Sequence, residues 1–275
     1  MPELPEVETI RRVLAPQIKG QKIMGIGIAH KQVIAHPSAE LFCDRIIGQA
    51  FSHMERRGKF LIFCFAGGDS MVVHLRMTGS LLVTPPEYPQ EKHTHVVFSL
   101  GDGKELRYID ARRFGRLWLL EKGEEDNVTG MDKLGLEPFD EALTAEYLRE
   151  RLLKRKKPIK ECLLDQSIVS GIGNIYGDEI LFAAGIHPAR PAGDLTMCEY
   201  ERLVKQIHET MEYFIEKNVI PAEDYLAGKG KTYRNTPYLR VYGKEKKPCP
   251  ICGRELQKIV LAGRSSVFCA HCQDK

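Results

Sequence analysis

The chain has 275 residues, 43% of them hydrophobic and 28% charged, with a formal net charge of +3. That length is more than one small core requires and suits two domains with a small appendage, and the composition is that of an ordinary soluble globular protein. No apolar run approaches the roughly 20 residues of a membrane helix, and the first residues lack the basic start and greasy stretch of a signal peptide, so the cytoplasm is the expected location.

Two prolines and three glutamates crowd the opening MPELPEVE. Val7, Ile10, Val13, Leu14 and Ile18 then recur at helical spacing, which predicts a helix over 6–18 with Pro5 in its first turn. Glu8 reads as an acidic residue placed to suit the helix dipole. From Lys22 to about Leu120 the texture is strand-like. QKIMGIGIAH, KFLIFCFA, SMVVHLRM, SLLVT, THVVFSL, KELRYID and GRLWLLE are short apolar runs punctuated by Gly, Pro and Asp, as in a β-sandwich or barrel. Beyond GLEP (Gly135 to Pro138) the pattern turns helical, with helices expected over 140–154, 159–169, 174–185 and 194–217 and no strand between Phe139 and Lys217. A polar, irregular stretch follows from Val219 to about Pro237. The expected fold class is α+β and multidomain, divided at 1–134, 135–222 and 223–275.

Charge is unevenly distributed. From Gly228 to Lys275 there are eleven Lys/Arg against three Asp/Glu, so the rest of the chain is net acidic. RLLKRKKPIK (Arg151 to Lys160) is a second basic run, with six basic residues and no acidic one. Such clusters point to a polyanion, nucleic acid first, against the plainer reading of a solvated surface. Of eight cysteines, Cys43, Cys64, Cys162 and Cys198 are scattered. The other four form CPIC (Cys249, Cys252) and CAHC (Cys269, Cys272), with sixteen residues between the pairs. Disulfides are uncommon in cytosol. Two CxxC turns, each offering two sulfurs, close one tetrahedral zinc site. The intervening RELQKIVLAGRSSVF reads as two strands around Ala262-Gly263. All four positions are cysteine, so the site has no open position and the zinc is structural.

Two further stretches carry candidate chemistry. GIGN, followed by a helix from Asn174, presents backbone N–H groups and an amide to an anion, although many glycine turns simply cap helices. HLRMTG and DARRFG place Met77, Arg112 and Phe114 beside turns at strand ends. The plain reading is core for Met77 and Phe114 and an ion pair for Arg112; the sharper one is a wedge that enters a base step while the arginine takes a vacated pairing position.

In this order MPELPEVE, RRGKF, HLRMTG, DARRFG, GIGNIYGDE and the CxxC hairpin resemble the formamidopyrimidine-DNA glycosylase (Fpg/Nei) family of bifunctional base-excision repair enzymes, in its formamidopyrimidine branch, from Met1 to Lys275. The resemblance implies an N-terminal helix with a β-sandwich, a helix-two-turn-helix domain and a β-hairpin zinc finger. It implies removal of Met1, Pro2 as a secondary-amine nucleophile with an N-terminal pKa of roughly 8, and Glu3 as the acid that protonates the sugar ring oxygen. Glu6, one helical turn on, belongs to the same pocket. Lys59 contacts phosphate and assists the chemistry, Arg264 binds the phosphates flanking the lesion and assists the second elimination, and Asn174 is a phosphate ligand. His93, Arg112 and Lys156 contact DNA, joined by His74. Met77, Arg112 and Phe114 fill the space of the flipped nucleotide. The implied cofactor is one structural zinc ion. The implied partner is double-stranded DNA with a damaged base, bound by a monomer at the bacterial nucleoid.

The sequence departs from the family where a loop covers an extruded 8-oxoguanine. KNVIPAEDYLAGKGKTYRNTPYLRVYGK lacks the leading glycine pair and the FQ element, and Glu223 stands near an expected arginine. Ser265-Ser266 replaces Gly-Thr after the hairpin arginine, which raises the expectation of a changed turn under Arg264. A shifted lesion preference is therefore expected, toward formamidopyrimidines, oxidised pyrimidines, abasic sites or bulky adducts. Two other function classes stand beside the enzyme: a damage-binding protein that does not cut, which leaves Pro2-Glu3 idle, and a zinc-ribbon module of a larger assembly, which leaves the N-terminus unexplained.

Overall fold

The computed structural model describes residues 2–124, 126–229 and 235–273. Met1, whose removal is expected, and positions 230–234 of the divergent stretch lie outside the described residues. The chain forms two compact units. One holds residue 2, residues 6–132 and 219–229; the other holds residues 3–5, 133–218 and 235–273.

The first unit begins with α1 (Leu4–Ile18). The helix starts two residues before the predicted residue 6, because buried Leu4 extends the apolar face by one turn and Pro5, at the second position, has no N–H to leave unsatisfied. Val7, Ile10, Val13, Leu14 and Ile18 are all buried. The strands are β1 (Ile23–Ile28), β2 (Ile34–His36), β3 (Phe51–Arg57), β4 (Phe60–Phe65), β5 (Ser70–His74), β6 (Gly79–Thr84), β7 (Thr94–Leu100), β8 (Glu105–Asp110) and β9 (Arg116–Leu120). They form a β-sandwich of two sheets, ordered β1-β7-β8-β6 and β2-β9-β5-β4-β3. Only the β2–β9 pairing within them is parallel.

Three elements escape the sequence pattern. Strand β3 (FSHMERR) buries Phe51 and Met54, three residues apart, because a bulge shifts its register between Phe51 and His53. A period of two is thereby lost. Strand β2 is three residues long. Helix α2 (Ala39–Ile46) buries only Phe42 and Ile46 and begins at a Ser38 hydroxyl that accepts from Leu41 N at 3.3 Å. Residues 219–229 are also more ordered than the polar composition suggests. They form a short helical turn and a π-turn. Ile220 and Tyr225 join the sandwich core, the Tyr225 hydroxyl donates to Leu81 O at 3.0 Å, and Tyr88 donates to Leu226 O at 3.1 Å.

The second unit contains α3 (Ala145–Leu152), α4 (Ile159–Leu163), α5 (Asn174–Ala184) and α6 (Met197–Lys217), then the hairpin β10 (Gln257–Leu261) and β11 (Arg264–Phe268). Among the described residues no strand lies between Phe139 and Lys217. Helix α4 stops well short of residue 169. Asp165 Oδ1 accepts from the N–H and hydroxyl of Ser167, and the Gln166 amide donates to Leu164 O and Ile172 O while accepting from Gly171 N. These side chains replace helical backbone bonds and bend the chain into two turns. Helix α6 starts at a capping box formed by Thr196 and Glu199. Its predicted start at residue 194 is three residues early because Ala192–Asp194 is a 3₁₀ turn.

The hairpin turn is the expected Ala262-Gly263, with φ of 45° and 75°. Positive φ at both central residues matches the twist of the strands. Ser265 and Ser266 lie in the ladder opposite Val260 and Ile259. The conformational demand thus falls on the two residues before Arg264, and the expected change of turn at Ser265-Ser266 does not arise.

Glu8 is more than a dipole partner. It is 7% exposed and binds Arg11 at 2.7 Å, Arg12 at 2.8 Å and Arg56 at 3.3 Å. Burial opposes its charge, but the bonds from Arg11 and Arg12 and the Arg56 charge prevail and hold its pKa at about 2. A folded pKa below the unfolded value gives stability that is present above about pH 4.5 and lost as pH falls toward 2. Glu8→Gln should therefore cost up to about 3 kcal/mol at pH 7. In urea melts the gap to the parent should narrow steadily below pH 4.5.

Candidate active site

In the helical unit the site is organised by the start of α5. Glu3, 1% exposed, accepts from Ile175 N at 3.0 Å (Oε1) and Tyr176 N at 3.3 Å (Oε2). These are otherwise orphan donors at a helix N-terminus. The room comes from Gly173, where a Cβ would stand 2.3 Å from the Glu3 carboxyl carbon. Gly171, at φ +89°, accepts from Leu4 N at 3.2 Å. The two glycines of GIGN thus receive the N-terminal residues. Asn174 is the first residue of α5, and its Oδ1 is buried without a hydrogen bond among the described residues.

The rest of NIYGDE holds the C-terminal segments. Tyr176 accepts from Asn235 Nδ2 at 2.6 Å. Glu179 accepts from the amides of Arg240, Val241 and Tyr242 at 2.8, 2.9 and 2.9 Å. Asp178 meets Lys160 at 2.6 Å, and both are buried. Lys160 Nζ also donates to Ser265 O at 2.7 Å, and Asp178 Oδ2 accepts from Val267 N at 3.0 Å. Burial lowers the Lys160 pKa against the pull of Asp178 and Glu3, with Arg264 adding to the lowering. Burial likewise raises that of Asp178, to about 6. Lys160 is thus a structural charge, in contrast to its place in the basic run; Arg151, Lys154, Lys156 and Lys157 are the exposed members. The pair fixes the strand that starts at Arg264, which is exposed beside the hairpin turn.

At the other end of the hairpin the sulfurs of Cys249, Cys252, Cys269 and Cys272 all lie within 4.8 Å of one another. Cys249–Cys272 is 3.9 Å and Cys252–Cys269 is 3.5 Å. Those spacings are too long for a disulfide and match the edges, about 3.8 Å, of a tetrahedron with Zn–S bonds of about 2.3 Å. The residues fit a structural zinc ion. Gln273 supports the knot by accepting from Cys269 N at 2.8 Å and donating to Ile186 O at 2.9 Å.

In the β unit, HLRMTG and DARRFG are adjacent loops. Each carries the chain from one sheet to the other, and the pairs His74↔Arg116 and Gly79↔Asp110 bracket them. Asp110, fully buried, ties them together. It accepts from the Thr78 hydroxyl, Arg112 N at 3.1 Å, Tyr108 OH at 3.1 Å and Gly115 N at 2.9 Å. Burial opposes its charge, but these donors lower its pKa. Gly79 and Gly115 are required by space, since a Cβ would stand 2.5 Å from Leu75 O and 2.0 Å from Tyr108 Oη. Arg76 and Arg113 adopt positive φ of 54° and 58°. The loops present Met77 at 39% and Phe114 at 50% exposure, with the Arg112 guanidinium 4.8 Å from the Phe114 ring centre. The core reading of Met77 and Phe114 is excluded.

His93 belongs to the same cluster, its carbonyl accepting from Asp110 N at 3.0 Å. His74 is buried and neutral: burial first, then the charges of Arg76 and Lys59, lower its pKa to about 3. Its Nδ1 accepts from Arg76 N at 3.0 Å, so it shapes the loop. Lys59, also buried, follows Gly58 at the β3–β4 turn. Pro2 and Glu6 are half-buried, and Lys156 stands exposed between α3 and α4. Asp110, Lys160, Asp178 and Glu179 are positioning residues that composition and spacing did not reveal. For the three acids the one available signal is a carboxylate inside an otherwise apolar, basic or glycine-bearing motif; Lys160 carries none.

Profiles described as the formamidopyrimidine-DNA glycosylase N-terminal domain, its H2TH domain and a zinc finger found in FPG and IleRS match residues 1–117, 134–224 and 246–275. The chain belongs to the formamidopyrimidine-DNA glycosylase family. It is 44% identical over 274 residues to the formamidopyrimidine-DNA glycosylase of Desulforamulus reducens, covering 99% of both chains. It is 47% identical over 259 residues to that of Moorella thermoacetica, covering 94% of both. Lactococcus lactis Fpg in complex with abasic-site DNA superposes with a TM-score of 0.91 at 36% identity, over 99% of this chain and 100% of that one. The same protein with FAPY-dG-containing DNA gives 0.90 at 36% identity, again over 99% and 100%. The β-sandwich, helix-two-turn-helix and zinc hairpin are those of this family.

Lys160→Met should leave Asp178 buried and unpaired and cost about 3–5 kcal/mol in chemical denaturation. Lys160→Met with Asp178→Leu should recover the part of that loss due to the unpaired charge and retain the part due to Ser265 O and Val267 N, which lose their partners.

Proposed function

We propose that the chain excises oxidised or ring-opened bases from double-stranded DNA and cuts the strand through a Schiff base on Pro2. As a family member it is a base-excision repair glycosylase with lyase chemistry. What remains to be tested is which residues perform it. The observation that most supports the reading is the Glu3 carboxylate, buried and held by two amides of α5 in the residue next to Pro2. Those two bonds cap α5, and the same bonds fix the orientation of an acid one residue from Pro2.

With Met1 removed, the neutral Pro2 amine attacks C1′ and the bond from C1′ to the base breaks, the base leaving with the electron pair and taking up the proton that the Pro2 nitrogen sheds. Glu3 gives a proton to the sugar ring oxygen as the ring opens. The secondary amine forms an iminium directly, which acidifies the C2′ proton. Loss of that proton expels the 3′ phosphate, and a further elimination expels the 5′ phosphate. Glu6 shares the pocket. Lys59, Asn174 and Arg264 bind phosphates, and Lys59 and Arg264 assist the eliminations. Lys156 and His93 add contacts to the duplex. Met77, Arg112 and Phe114 enter the space of the extruded nucleotide; their exposure in loops braced by Asp110 supports that role. His74 acts through the loop it shapes. The chain works as a monomer at the bacterial nucleoid.

Lesion choice is proposed to depart from 8-oxoguanine. Glu223 is exposed on the short turn before Tyr225, and an acid there repels phosphate and electron-rich oxidised bases alike. Lactococcus lactis Fpg has been captured on DNA containing an oxidized pyrimidine and on DNA containing FAPY-dG.

Borohydride should trap a covalent complex with abasic duplex. Pro2→Gly should reduce it to a small fraction, and Glu3→Gln should slow base excision by about 10²–10⁴-fold. Absence of any adduct would leave only a binding role. On a panel of damaged duplexes, cleavage of formamidopyrimidine or oxidised-pyrimidine substrates should exceed cleavage at 8-oxoguanine opposite cytosine. Strong selectivity for the latter sinks the specificity reading.

A further inference from the structure

Apart from the four thiolates, one more group of metal-ligating side chains converges among the described residues: His53, Glu55 and Cys64. His53 and Cys64 are direct cross-strand partners on β3 and β4, and the bulge before His53 sets that pairing. Glu55, two residues on, shares the face. His53 Nε2 and Glu55 Oε1 are 2.9 Å apart, and all three ligand atoms lie within 4.8 Å of one another. Strand β3 is the edge of its sheet, and the His53 and Glu55 side chains are 55% and 58% exposed. We propose that these three residues form a second, solvent-open site for a borderline divalent transition metal such as zinc or cobalt.

The donor set argues for this class. One imidazole, one carboxylate and one thiolate suit zinc, cobalt or copper, whereas magnesium and calcium take oxygen ligands. Bonds of about 2.0–2.3 Å require ligand atoms roughly 3.3–3.7 Å apart. The His53–Glu55 pair, at 2.9 Å, has to open by a few tenths of an ångström and the more distant atoms to close by about 1 Å, changes within reach of rotations of exposed side chains. Three protein ligands leave a fourth position for water. As a plain ion pair, His53–Glu55 contributes little and leaves Cys64 without a purpose. Nor is Cys64 a reactive thiolate by itself, since burial and then the Glu55 charge push its thiol up to about 11. A bound metal displaces that proton and pins β3 to β4. Their shared turn carries Gly58 and Lys59, so occupancy braces the hairpin that bears a proposed phosphate ligand.

The test starts from protein whose thiolate knot is filled with zinc, titrated with cobalt(II) at pH 7.5 and followed by metal analysis and by absorption. Total metal should rise from one to two ions per chain, with a sulfur-to-cobalt charge-transfer band, and the melting temperature should rise. Cys64→Ser should remove the band, and His53→Ala should weaken uptake at least tenfold. Zinc content should stay at one per chain in both variants. Saturation at the single knot ion, or a second ion that persists in His53→Ala with Cys64→Ser, overturns the proposal.

Discussion

The helical unit depends on a pair of charges that water cannot reach. Lys160 and Asp178 are removed from solvent on α4 and α5, an arrangement that survives only if every remaining donor and acceptor is matched. The match comes from the hairpin. Ser265 O and Val267 N, two residues apart on β11, take the second bond of each ion. They belong to the edge of β11 that β10 does not pair. The ion pair therefore also closes an open strand edge and sets the hairpin's position along it. Arg264, one residue before Ser265, inherits that placement, as do the thiolates at the far end through Phe182 of α5, which packs with Cys249, Leu256 and Val267.

Asp110 does the same in the β-sandwich. A loop that changes sheets cannot pair its own backbone, and a buried loop with unpaired N–H groups is unstable. Four donors converge on Asp110, three from the two loops and the Tyr108 hydroxyl from β8. The resulting bracket tolerates left-handed backbone at Arg76 and Arg113, which costs of order 1 kcal/mol or more at each. Glu3 and Glu179 follow the same logic with amides of α5 and of residues 240–242. Buried carboxylates thus hold the segments that carry the candidate site residues, while apolar packing fills the cores.

That division explains what could be read from the chain alone. Helix α1 and helix α6 declare themselves through apolar period, and the zinc knot through cysteine spacing, because each signal is a repeat. Strand β3 hides because a bulge breaks its period, and α4 ends early because Asp165, Gln166 and Ser167 offer the backbone other partners. Buried carboxylates have no period at all. In DARRFG the arginines and phenylalanine draw notice, yet it is the aspartate that positions them. Lys160, adjacent to a true basic surface, is indistinguishable by composition from Lys156. Candidate site residues of the β unit and the helical unit were nevertheless legible as motifs, since a family's chemistry fixes residue types where packing would accept many.

The same physics bears on the divergent stretch. Its first part is secured in the sandwich by Ile220, by Tyr225 on Leu81 O and by Tyr88 on Leu226 O. Its last part is secured in the helical unit by Asn235 on Tyr176 and by the amides of 240–242 on Glu179. Neither anchor uses Glu223, the missing glycine pair or the absent FQ element. A substitution at exposed Glu223 therefore leaves these anchors untouched while altering the local charge. A change at Asp110 or Asp178, by contrast, would leave buried donors without a partner.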